Sequence, residues 1–529
     1  MKRQSLETIH LDKIVCGGQA LGTLADGRKC FVWGGLPGET VTVRITKKKS
    51  HLVEAVVEEV ISPSSDRIRP HDPDSYFSTS PWQIMPLEVE QTYKAQLIDD
   101  AFALHNVALP AAIDIYCDNV AYGYRNKVEF SWYSESVVSR VISQKKSGQL
   151  YVGPGLFSDD TREIDADSDR EESSGDTLDL AFFRRGSKGK IVVDGTSLAR
   201  PEINNLARAI RDLLRHKRVA ARQLKTLLIR CDQSGSCVWQ LYVKDRLPEI
   251  ITADEAAKLP AQGGEIIYSD PRSPASRITE RLARFGDTTL TDTVLGVPFR
   301  YACEGFFQVN IPVYEQALRD MQQWTGRDYS DQQRVISQKK SGQHRESKQH
   351  GSSNSFSEGF AFPAKARQER QLDQLAARRP EEKDVCETGE PALDLYAGVG
   401  TIGLTIGGGN VTLVEINADA VREMQRNIAE LDRTDACAVL APSEQALNYI
   451  TGKEIVIVDP PRAGLHTDVI ATLLQQLPPR ILYLSCNPVT QARDVALLQQ
   501  HYRIAWYRGY NFFPRTPHIE HLIILDKKP

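Results

Sequence analysis

Apolar and polar positions alternate through the first 60 residues. Strand-like runs occur at residues 29–33, 40–45 and 52–60, and turn-forming residues such as those at 34–38 separate them. Short strands at this spacing predict a five-stranded β-barrel of the oligonucleotide-binding type over residues 1–62. Residues 47–49 are three lysines at the tip of a predicted hairpin. They could contact phosphates, but a solvated turn that protects strand edges is favoured on the lysines alone.

The pattern becomes mixed between residues 63 and 300. Residues 89–105 have the apolar spacing of a helix, whereas residues 124–132 read as a strand, so an α+β domain is expected here. Two polar stretches, at about 134–177 and about 328–390, show little periodicity and predict disordered surface insertions. The string RVISQKKSGQ occurs in both stretches. A duplicated coding element is favoured over a shared binding motif, and the sequence assigns the repeat no function.

Short apolar strands and helices alternate over the last ~140 residues, which is typical of α/β proteins. Strands are predicted at 392–396, 410–416, 454–458, 481–485 and 521–526. Within a domain spanning residues 301–529, this order predicts a doubly wound sheet. Functional groups are then expected at the carboxyl ends of its strands.

Charge and hydropathy indicate which classes of function are compatible with the chain. The formal net charge is −4, but residues 159–176 carry nine acids and two arginines, so the rest of the chain is mildly positive. That balance is compatible with RNA binding without requiring it. No apolar run reaches the roughly 18–20 residues of a membrane span, and the amino terminus lacks a signal-peptide core, so a cytoplasmic protein without a membrane partner is expected.

The nine cysteines form no CxxC pair. Because their number is odd, neither a disulfide framework nor a local zinc site is expected, and no metal ligand is assigned.

A glycine-rich loop follows the first predicted strand of the last domain. Gly398, Gly400 and Gly403 spell GxGxxG, and Thr401 lies among them. Such a loop lets a ligand approach the start of a helix closely, and Glu415, after the next strand, can hold two ribose hydroxyls. Dinucleotides and other adenosine-containing cofactors both use this arrangement. A nicotinamide-dependent oxidoreductase therefore remains an alternative at this point.

Two further motifs follow predicted strands. Asp459 begins Asp-Pro-Pro-Arg, where two prolines stiffen the backbone beside the sheet edge, as a rigid wall for a planar base would require. Cys486 lies in Ser-Cys-Asn-Pro after the next strand. Most cysteines near apolar strands are inert, but turn formers bracket this one and would expose its thiol, so it is a candidate nucleophile.

A candidate base lies near the carboxyl terminus. Glu520 immediately precedes the last predicted strand, and His518 shares its face if the segment is extended. We assign Glu520 as the base and His518 a positioning role. The alternative for the glutamate is a surface acid that caps an edge strand.

With these residues assembled, the chain resembles the RNA uracil-C5 methyltransferase family. The motifs in common, in the family's order, are YGYRNKVEF, GFFQVN, DLYAGVGTIGL, LVEIN, DPPRAGL, LSCNP and FPRTPHIE. The resemblance implies an amino-terminal TRAM domain and a carboxyl-terminal class I methyltransferase (Rossmann-like) domain. It implies an enzyme that uses S-adenosylmethionine to methylate carbon 5 of a flipped-out uridine in RNA.

The resemblance also implies residue roles. Cys486 would add to carbon 6 of uracil, because carbon 5 alone is too poor a nucleophile, and Glu520 would accept the carbon 5 proton. Gln308, Tyr396, Glu415 and Asp459 would line the cofactor and uracil pocket. The TRAM-like barrel favours 23S ribosomal RNA over transfer RNA as the partner, and a monomer is expected. An inactive RNA-binding protein is the remaining alternative.

Two departures from the family pattern stand out. Many TRAM-bearing members hold an iron–sulphur cluster just after the barrel, but residues 69–83 contain no cysteine, so no cluster is predicted. Tyr76 and Trp82 would fill that volume instead. Asn511 replaces a frequent aspartate, which puts the local hydrogen bonding in doubt.

Overall fold

The computed structural model describes residues 6–50, 52–135, 177–185, 189–325 and 391–529. Both predicted insertions fall largely outside these ranges, and both copies of RVISQKKSGQ lie wholly outside them. The chain separates into two compact units. Unit 1 comprises Met1–Ala101, Ile113–Leu290 and Asn511–Ile519; unit 2 comprises Phe102–Ala112, Thr291–Tyr510 and Glu520–Pro529. The three-domain division with boundaries at 62 and 300 stays a prediction.

The first 13 strands, β1–β13, span Leu6–Ile14, Ala20–Thr23, Lys29–Trp33, Thr40–Lys48, Leu52–Ser62, Ile115–Tyr116, Lys127–Glu135, Thr177–Phe183, Lys190–Val192, Leu224–Cys231, Cys237–Val243, Gly263–Tyr268 and Glu280–Gly286. Helices α1–α4 span Tyr76–Thr79, Leu87–Leu104, Pro201–His216 and Ala253–Ala256.

Strands β14–β22 span Thr289–Val294, Val297–Ala302, Ala392–Leu395, Val411–Glu415, Ala436–Leu440, Ile455–Val458, Arg480–Ser485, Tyr502–Tyr510 and Glu520–Lys527. Helices α5–α9 span Ile311–Gln322, Thr401–Ile406, Ala418–Glu430, Thr467–Gln476 and Pro488–Leu498.

Unit 1 begins with the predicted barrel, which the structure confirms. Strands β1–β5 close in the order β1-β2-β3-β5-β4. Alternation turns Ile9 and Leu11 of β1 inward, where both are buried, and leaves polar neighbours outside. A second sheet of this unit has the order β13-β12-β11-β10-β7-β8-β9. Helix α3 covers its core, where Trp239 and Ile229 are almost fully buried.

Unit 2 is an α/β sheet in which the strands follow the order β18-β17-β16-β19-β20-β22-β21. Strands β16–β20 pair in parallel, whereas β22 is antiparallel to both of its neighbours. The prediction of an α/β domain is therefore confirmed. The predicted strand set was incomplete: β18, a short run of apolar residues at the edge of the sheet, and β21, whose apolar run is interrupted by arginines, were not predicted.

The order of the strands reverses between β16 and β19, which opens a crevice at their carboxyl ends. Classic dinucleotide-binding sheets run 3-2-1-4-5-6 in parallel. Here an antiparallel last strand lies between the fifth and sixth. Among the described helices, none is long and apolar enough to cross a membrane.

Candidate active site

The register of the sheet places the predicted nucleophile opposite the predicted base. Strand β20 pairs with β22, and the last pair of that ladder is Ser485 with His521. The next residues along the two chains are Cys486 and Glu520, and the Glu520 carboxyl acts electrostatically on the Cys486 thiol. Neighbouring strands lie about 4.8 Å apart, so the two side chains are close enough to share one ligand.

Cys486 is half-buried at the end of β20. Burial and the nearby carboxyl groups of Glu520 and Asp459 raise the pKa of its thiol to about 11, while Arg462 acts in the opposite direction. The thiol is therefore protonated at neutral pH. A nucleophilic role requires that its proton be removed when a substrate arrives.

Glu520 and Asp459 form a pair of interacting acids. Glu520 is 5% exposed, and burial and the charge of Asp459 raise the pKa of its carboxyl well above the ordinary value, against the opposing effect of Arg462. Burial also raises the pKa of Asp459 to about 7. Two carboxyl groups so placed resist ionising together, which favours a site that takes up and releases a proton near neutral pH.

The two motif loops are joined by hydrogen bonds. The side chain of Asn487 donates to the Arg462 carbonyl over 2.8 Å, and its oxygen caps α9 by accepting from the Val489 amide at 3.3 Å. The hydroxyl of Thr490 also donates to the Arg462 carbonyl, at 3.2 Å. The loop after Asp459 is thereby fixed to the loop of Cys486.

A glycine in the Asp459 loop is required by space and backbone angle. Gly464 has a φ of +80°, and a Cβ there would lie 2.6 Å from a carboxylate oxygen of Asp494. That oxygen accepts from the Leu465 amide and the Tyr483 hydroxyl, both at 2.8 Å. Asp494 therefore fixes the Asp459 loop through these hydrogen bonds. Any larger residue at position 464 would displace the Asp494 carboxylate.

The glycine loop has the shape of a ligand cradle. Gly398 and Gly400 have positive φ, and a Cβ added at Gly398 would meet no atom within 4 Å, so the loop is open there. Tyr396 also has a positive φ, of 68°. This conformation is strained for a bulky residue and is typical of functional sites. The Tyr396 hydroxyl hydrogen-bonds Ser443.

Glu415 is held by the glycine loop. One carboxylate oxygen accepts from the Gly398 amide at 2.9 Å, and the other accepts from the Asn417 amide at 2.7 Å. Each oxygen keeps a lone pair for a further donor, such as a ribose hydroxyl. Beside it, Ile416 is 66% exposed and offers an apolar surface for a planar ring.

The remaining predicted cofactor residues surround the same strand ends in unit 2. Thr401 is the first residue of α6 and is 8% exposed; Gln308, just before α5, is likewise 8% exposed. Their roles as ligand contacts stay predictions. His518 belongs to unit 1, where its ring is exposed and meets the edge of Phe513 at 5.8 Å between centroids. Its positioning role also stays a prediction.

Two further buried residues, Asp394 and Tyr314, interact electrostatically with the acids of the site, and the motifs did not predict them. Asp394 is fully buried and accepts from the Gly403 amide at 2.8 Å. Burial raises the pKa of its carboxyl to about 8, with Asp459 and Glu415 adding to the effect. A buried acid within a strand could have been noticed, but Tyr314 lies in a helix whose pattern gives no such signal.

The segment after the barrel, in unit 1, is organised by polar side chains. The amide of Gln83 donates to Ser80 at 2.7 Å and to Asp72 at 3.1 Å, and Asp72 accepts from the Ser197 hydroxyl at 2.6 Å. Trp82 is 2% exposed and donates to the Gly18 carbonyl at 3.0 Å. Over the ranges that the structure describes, no group of three or more potential metal ligands occurs.

Fold and site together define a class. A Rossmann-like sheet with an antiparallel last strand, a glycine loop and an acid at the end of the second strand is that of a class I methyltransferase. Residues 385–528 match the family described as tRNA (Uracil-5-)-methyltransferase. The resemblance predicted from the motifs is confirmed over this region, which matches the catalytic domain of RNA (uracil-5-)-methyltransferases.

Some similar proteins match nearly the whole chain, and others match only its carboxyl-terminal part. An uncharacterized RNA methyltransferase of Nitratidesulfovibrio vulgaris is 24% identical, covering 98% of this chain and 96% of that protein. A tRNA (uracil(54)-C(5))-methyltransferase of Pyrococcus abyssi is 42% identical over 134 residues, which are 25% of this chain and 32% of that protein.

The fold itself has a solved counterpart. The crystal structure of Pyrococcus abyssi tRNA (uracil-54, C5)-methyltransferase in complex with S-adenosyl-L-homocysteine covers 98% of this chain and 99% of that chain. Its TM-score is 0.64 at 17% identity. At this identity the match shows that the fold is shared.

Proposed function

We propose that this protein methylates carbon 5 of a uridine in structured RNA, with S-adenosylmethionine as the methyl donor. The position of Cys486 and Glu520 next to the last pair of the β20–β22 ladder, where the Glu520 carboxyl acts on the Cys486 thiol, carries this proposal. A thiol and a carboxyl on two sides of one substrate ring provide the nucleophile and the base that the reaction needs.

The residues at the glycine loop fit S-adenosylmethionine. Glu415 has lone pairs for two ribose hydroxyls, exposed Ile416 offers a face for adenine, and the loop is open at Gly398. Buried acids near the loop, Asp394 and Asp459, suit a ligand that carries positive charge. When bound, the cofactor supplies an electrophilic methyl group.

Cys486 would act first. Its thiol loses its proton to a carboxylate of the site, and the sulphur forms a bond to carbon 6 of the uracil ring. The electron pair of the 5,6 double bond then becomes an enolate with nucleophilic character at carbon 5. Arg462, which favours the thiolate, assists this step.

Glu520 would complete the reaction. After carbon 5 has been methylated, it still carries its hydrogen. Glu520 takes that proton, the 5,6 double bond re-forms, and the bond between carbon 6 and sulphur breaks to release Cys486. A carboxyl with a raised pKa is a stronger base once ionised than an ordinary glutamate, which suits proton abstraction from carbon.

Two observations bear on which RNA is the substrate, and they favour different RNAs. The amino-terminal barrel favours 23S ribosomal RNA, as predicted from the sequence. Two similar proteins, from Pyrococcus abyssi and Pyrococcus horikoshii, are named tRNA (uracil(54)-C(5))-methyltransferases, and the first is 42% identical over 134 residues. We favour ribosomal RNA, with the T-loop uridine of transfer RNA as the second candidate, for a monomeric protein in the cytoplasm.

Mass-spectrometric mapping of 5-methyluridine in ribosomal and transfer RNA, with and without the gene, tests the proposal. One uridine that loses its methyl group identifies the substrate, and an unchanged RNA population contradicts the proposal. Calorimetry with the purified protein separates the alternatives. Binding of S-adenosylmethionine but not NAD excludes the oxidoreductase, while binding without turnover on any RNA favours an inactive RNA-binding protein.

The absence of an iron–sulphur cluster is a separate proposal. Metal analysis of anaerobically purified protein should find less than one iron per chain, because residues 69–83 supply no thiolate. Four irons per chain would contradict it.

A further inference from the structure

Gln491 is a fully buried side chain in the first turn of α9, the helix that begins two residues after Cys486. Its main-chain amide donates to the Asn487 carbonyl at 3.1 Å. Its side-chain nitrogen donates to the Tyr483 carbonyl in β20 at 2.9 Å and to the His521 carbonyl in β22 at 3.0 Å. One amide group therefore bridges the two strands that lead to the reacting groups.

Backbone pairing between β20 and β22 stops just short of the reacting groups. The last pair in register is Ser485 with His521, and Cys486 and Glu520 lie next to it. On its other side Glu520 pairs with Tyr510 of β21. Main-chain pairing thus fixes Glu520 relative to β21, whereas its spacing from Cys486 depends on side-chain contacts that hold β20 to β22. The amide bridge is such a contact, and it lies at the end of the ladder.

His521 holds the Gln491 amide in this orientation. The imidazole is fully buried, and its Nδ1 lies 2.6 Å from Gln491 Oε1. Because the amide nitrogen faces the two carbonyls, the amide oxygen accepts and Nδ1 carries the proton. Burial lowers the pKa of the imidazole to about 3, so the ring stays neutral at working pH. It also packs edge-on against Phe102, at 5.3 Å between ring centroids.

We propose that Gln491 is a positioning residue of the reaction: its amide joins β20 to β22 and so fixes the distance between the Cys486 thiol and the Glu520 carboxyl. Both groups must reach one uracil ring, and a misplacement of about 1 Å can lower a rate by about a hundredfold. The inference rests on the proposed function for the identity of the two reacting groups. The hydrogen bonds that join the strands do not depend on it.

The substitution Gln491→Met removes the bridge and keeps an unbranched side chain of similar size. We expect kcat to fall by about ten- to a hundredfold, because the thiol and the base no longer meet the ring together. KM for RNA should change by less than about twofold, since the bridge acts on the placement of the reacting groups and not on binding. The melting temperature should also fall, because the buried His521 Nδ1–H loses its acceptor.

The double variant Gln491→Met/His521→Phe separates positioning from stability. With both polar partners replaced by apolar side chains, neither one retains a donor that needs an acceptor. The melting temperature should therefore recover most of the loss, whereas kcat should stay at the level of Gln491→Met because the bridge is still absent. Recovery of kcat together with the melting temperature, or a wild-type kcat in Gln491→Met, would overturn the proposal.

The matched control is Gln240→Met in β11 of unit 1. Gln240 is also fully buried; its amide nitrogen donates to Glu265 at 2.7 Å, and its oxygen accepts from the Tyr242 hydroxyl at 2.9 Å. Its loss should lower the melting temperature and leave kcat at saturating RNA unchanged. A loss of kcat as large as that of Gln491→Met would show that the effect is not particular to the bridge, and would also contradict the proposal.

A second measurement needs no turnover. Alkylation of Cys486 by iodoacetamide, followed by peptide mass spectrometry, reports the surroundings of the thiol. In the double variant the Glu520 carboxyl, which raises the pKa of this thiol, is no longer tied beside it, so alkylation should be about three- to tenfold faster than in wild type. Cys437, half-buried in β18, should react at the same rate in both proteins.

The two readouts keep the two proposals apart. If wild type methylates no RNA but Cys486 is alkylated faster in the double variant, the proposed function fails and the link between Gln491 and the thiol stands. If wild type methylates RNA and neither kcat nor alkylation differs in the variants, only the inference about Gln491 fails.

Discussion

Each unit of the molecule buries a cluster of charged side chains, and the two clusters differ in their balance. In unit 1, Glu90 and Lys94 on α2 are fully buried and 2.9 Å apart. The Glu90 carboxylate also accepts from the Asn511 amide at 3.0 Å and from the Arg515 main chain at 2.9 Å. Lys94 donates to Asn511 at 2.6 Å and to the Phe513 carbonyl at 3.2 Å.

The cluster in unit 2 has an excess of acids. Asp394, Asp459 and Glu520 are gathered there, and the positive charge acting on Glu520 comes from Arg462. One carboxylate oxygen of Asp394 is buried without a hydrogen-bond partner among the described residues. Both units therefore bury charged side chains, and buried charge alone does not identify a catalytic site. Paired charge fixes the structure of a loop, whereas unbalanced acids are suited to bind a cation and exchange protons.

Removing the sulphur beside the acid-rich cluster should produce the largest effect. The variant Cys486→Ala should lower kcat by about a thousandfold or more, because the methyl group of alanine cannot add to carbon 6. Calorimetry should show nearly unchanged binding of S-adenosylmethionine. The control is Cys437→Ala, a half-buried thiol in β18 of the same sheet, which should remain active. Substantial methylation by Cys486→Ala would place the nucleophile elsewhere.

Neutralising the base should stop the reaction at a later stage. Glu520→Gln keeps the shape of the side chain but cannot accept a proton, so turnover should fall by about a hundred- to ten-thousandfold. The covalent enzyme–RNA complex should then accumulate and appear as a slow band on a denaturing gel. In the double variant Cys486→Ala/Glu520→Gln that band should disappear. Normal turnover with no band would remove Glu520 from the mechanism.

The sequence could predict some residues of the acid-rich cluster but not others. A motif after an apolar strand predicted Cys486, because parallel strand ends meet at one edge of a sheet. Glu520 was predicted from the motif that leads into the last strand. The same logic could not find Tyr314, which lies within a helix and reaches the site only through tertiary packing. Strand β21 was missed because two arginines interrupt its apolar run, and β18 was missed because it is only five residues long.

Asn511 illustrates a departure that structure explains. Its side chain accepts from Lys94 and donates to Glu90, so it uses both ends of the amide. An aspartate there would place a second negative charge beside Glu90, which already neutralises Lys94. The doubt that this substitution raised about local hydrogen bonding is therefore removed.

Breaking the balanced cluster should cost stability more than chemistry. Glu90→Gln leaves the ammonium of Lys94 buried without its partner and should destabilise unit 1 by about 3–5 kcal/mol. Chemical denaturation measures this. Glu88→Gln, an exposed neighbour on the same helix, should change stability by less than about 0.5 kcal/mol.

A double variant sharpens the result. Glu90→Gln/Lys94→Met removes both charges and should recover part of the lost stability, since no unpaired buried charge remains. If Glu90→Gln is as stable as the wild type, the view that this cluster is structural is wrong.

The acid-rich cluster should respond in the opposite direction, because removing one of its acids should stabilise the protein instead of destabilising it. The ordinary pKa of Asp394 is 3.8 and its pKa in the folded protein is about 8, so between these values the folded state holds a proton that the unfolded chain has released. Unfolding then releases a proton, and stability falls as the pH rises from about 4 to about 8.

Asp394→Asn removes this dependence while its amide oxygen can still accept from Gly403. Its melting temperature at pH 8 should equal or exceed that of the wild type by a few degrees, since 1 kcal/mol corresponds to roughly 2–4 °C in a domain of this size. The exposed acid variant Asp468→Asn should leave the pH dependence unchanged. A wild-type melting temperature that does not fall over this range would mean that Asp394 is ionised in the folded protein at no cost, and the distinction between a balanced and an unbalanced cluster would fail.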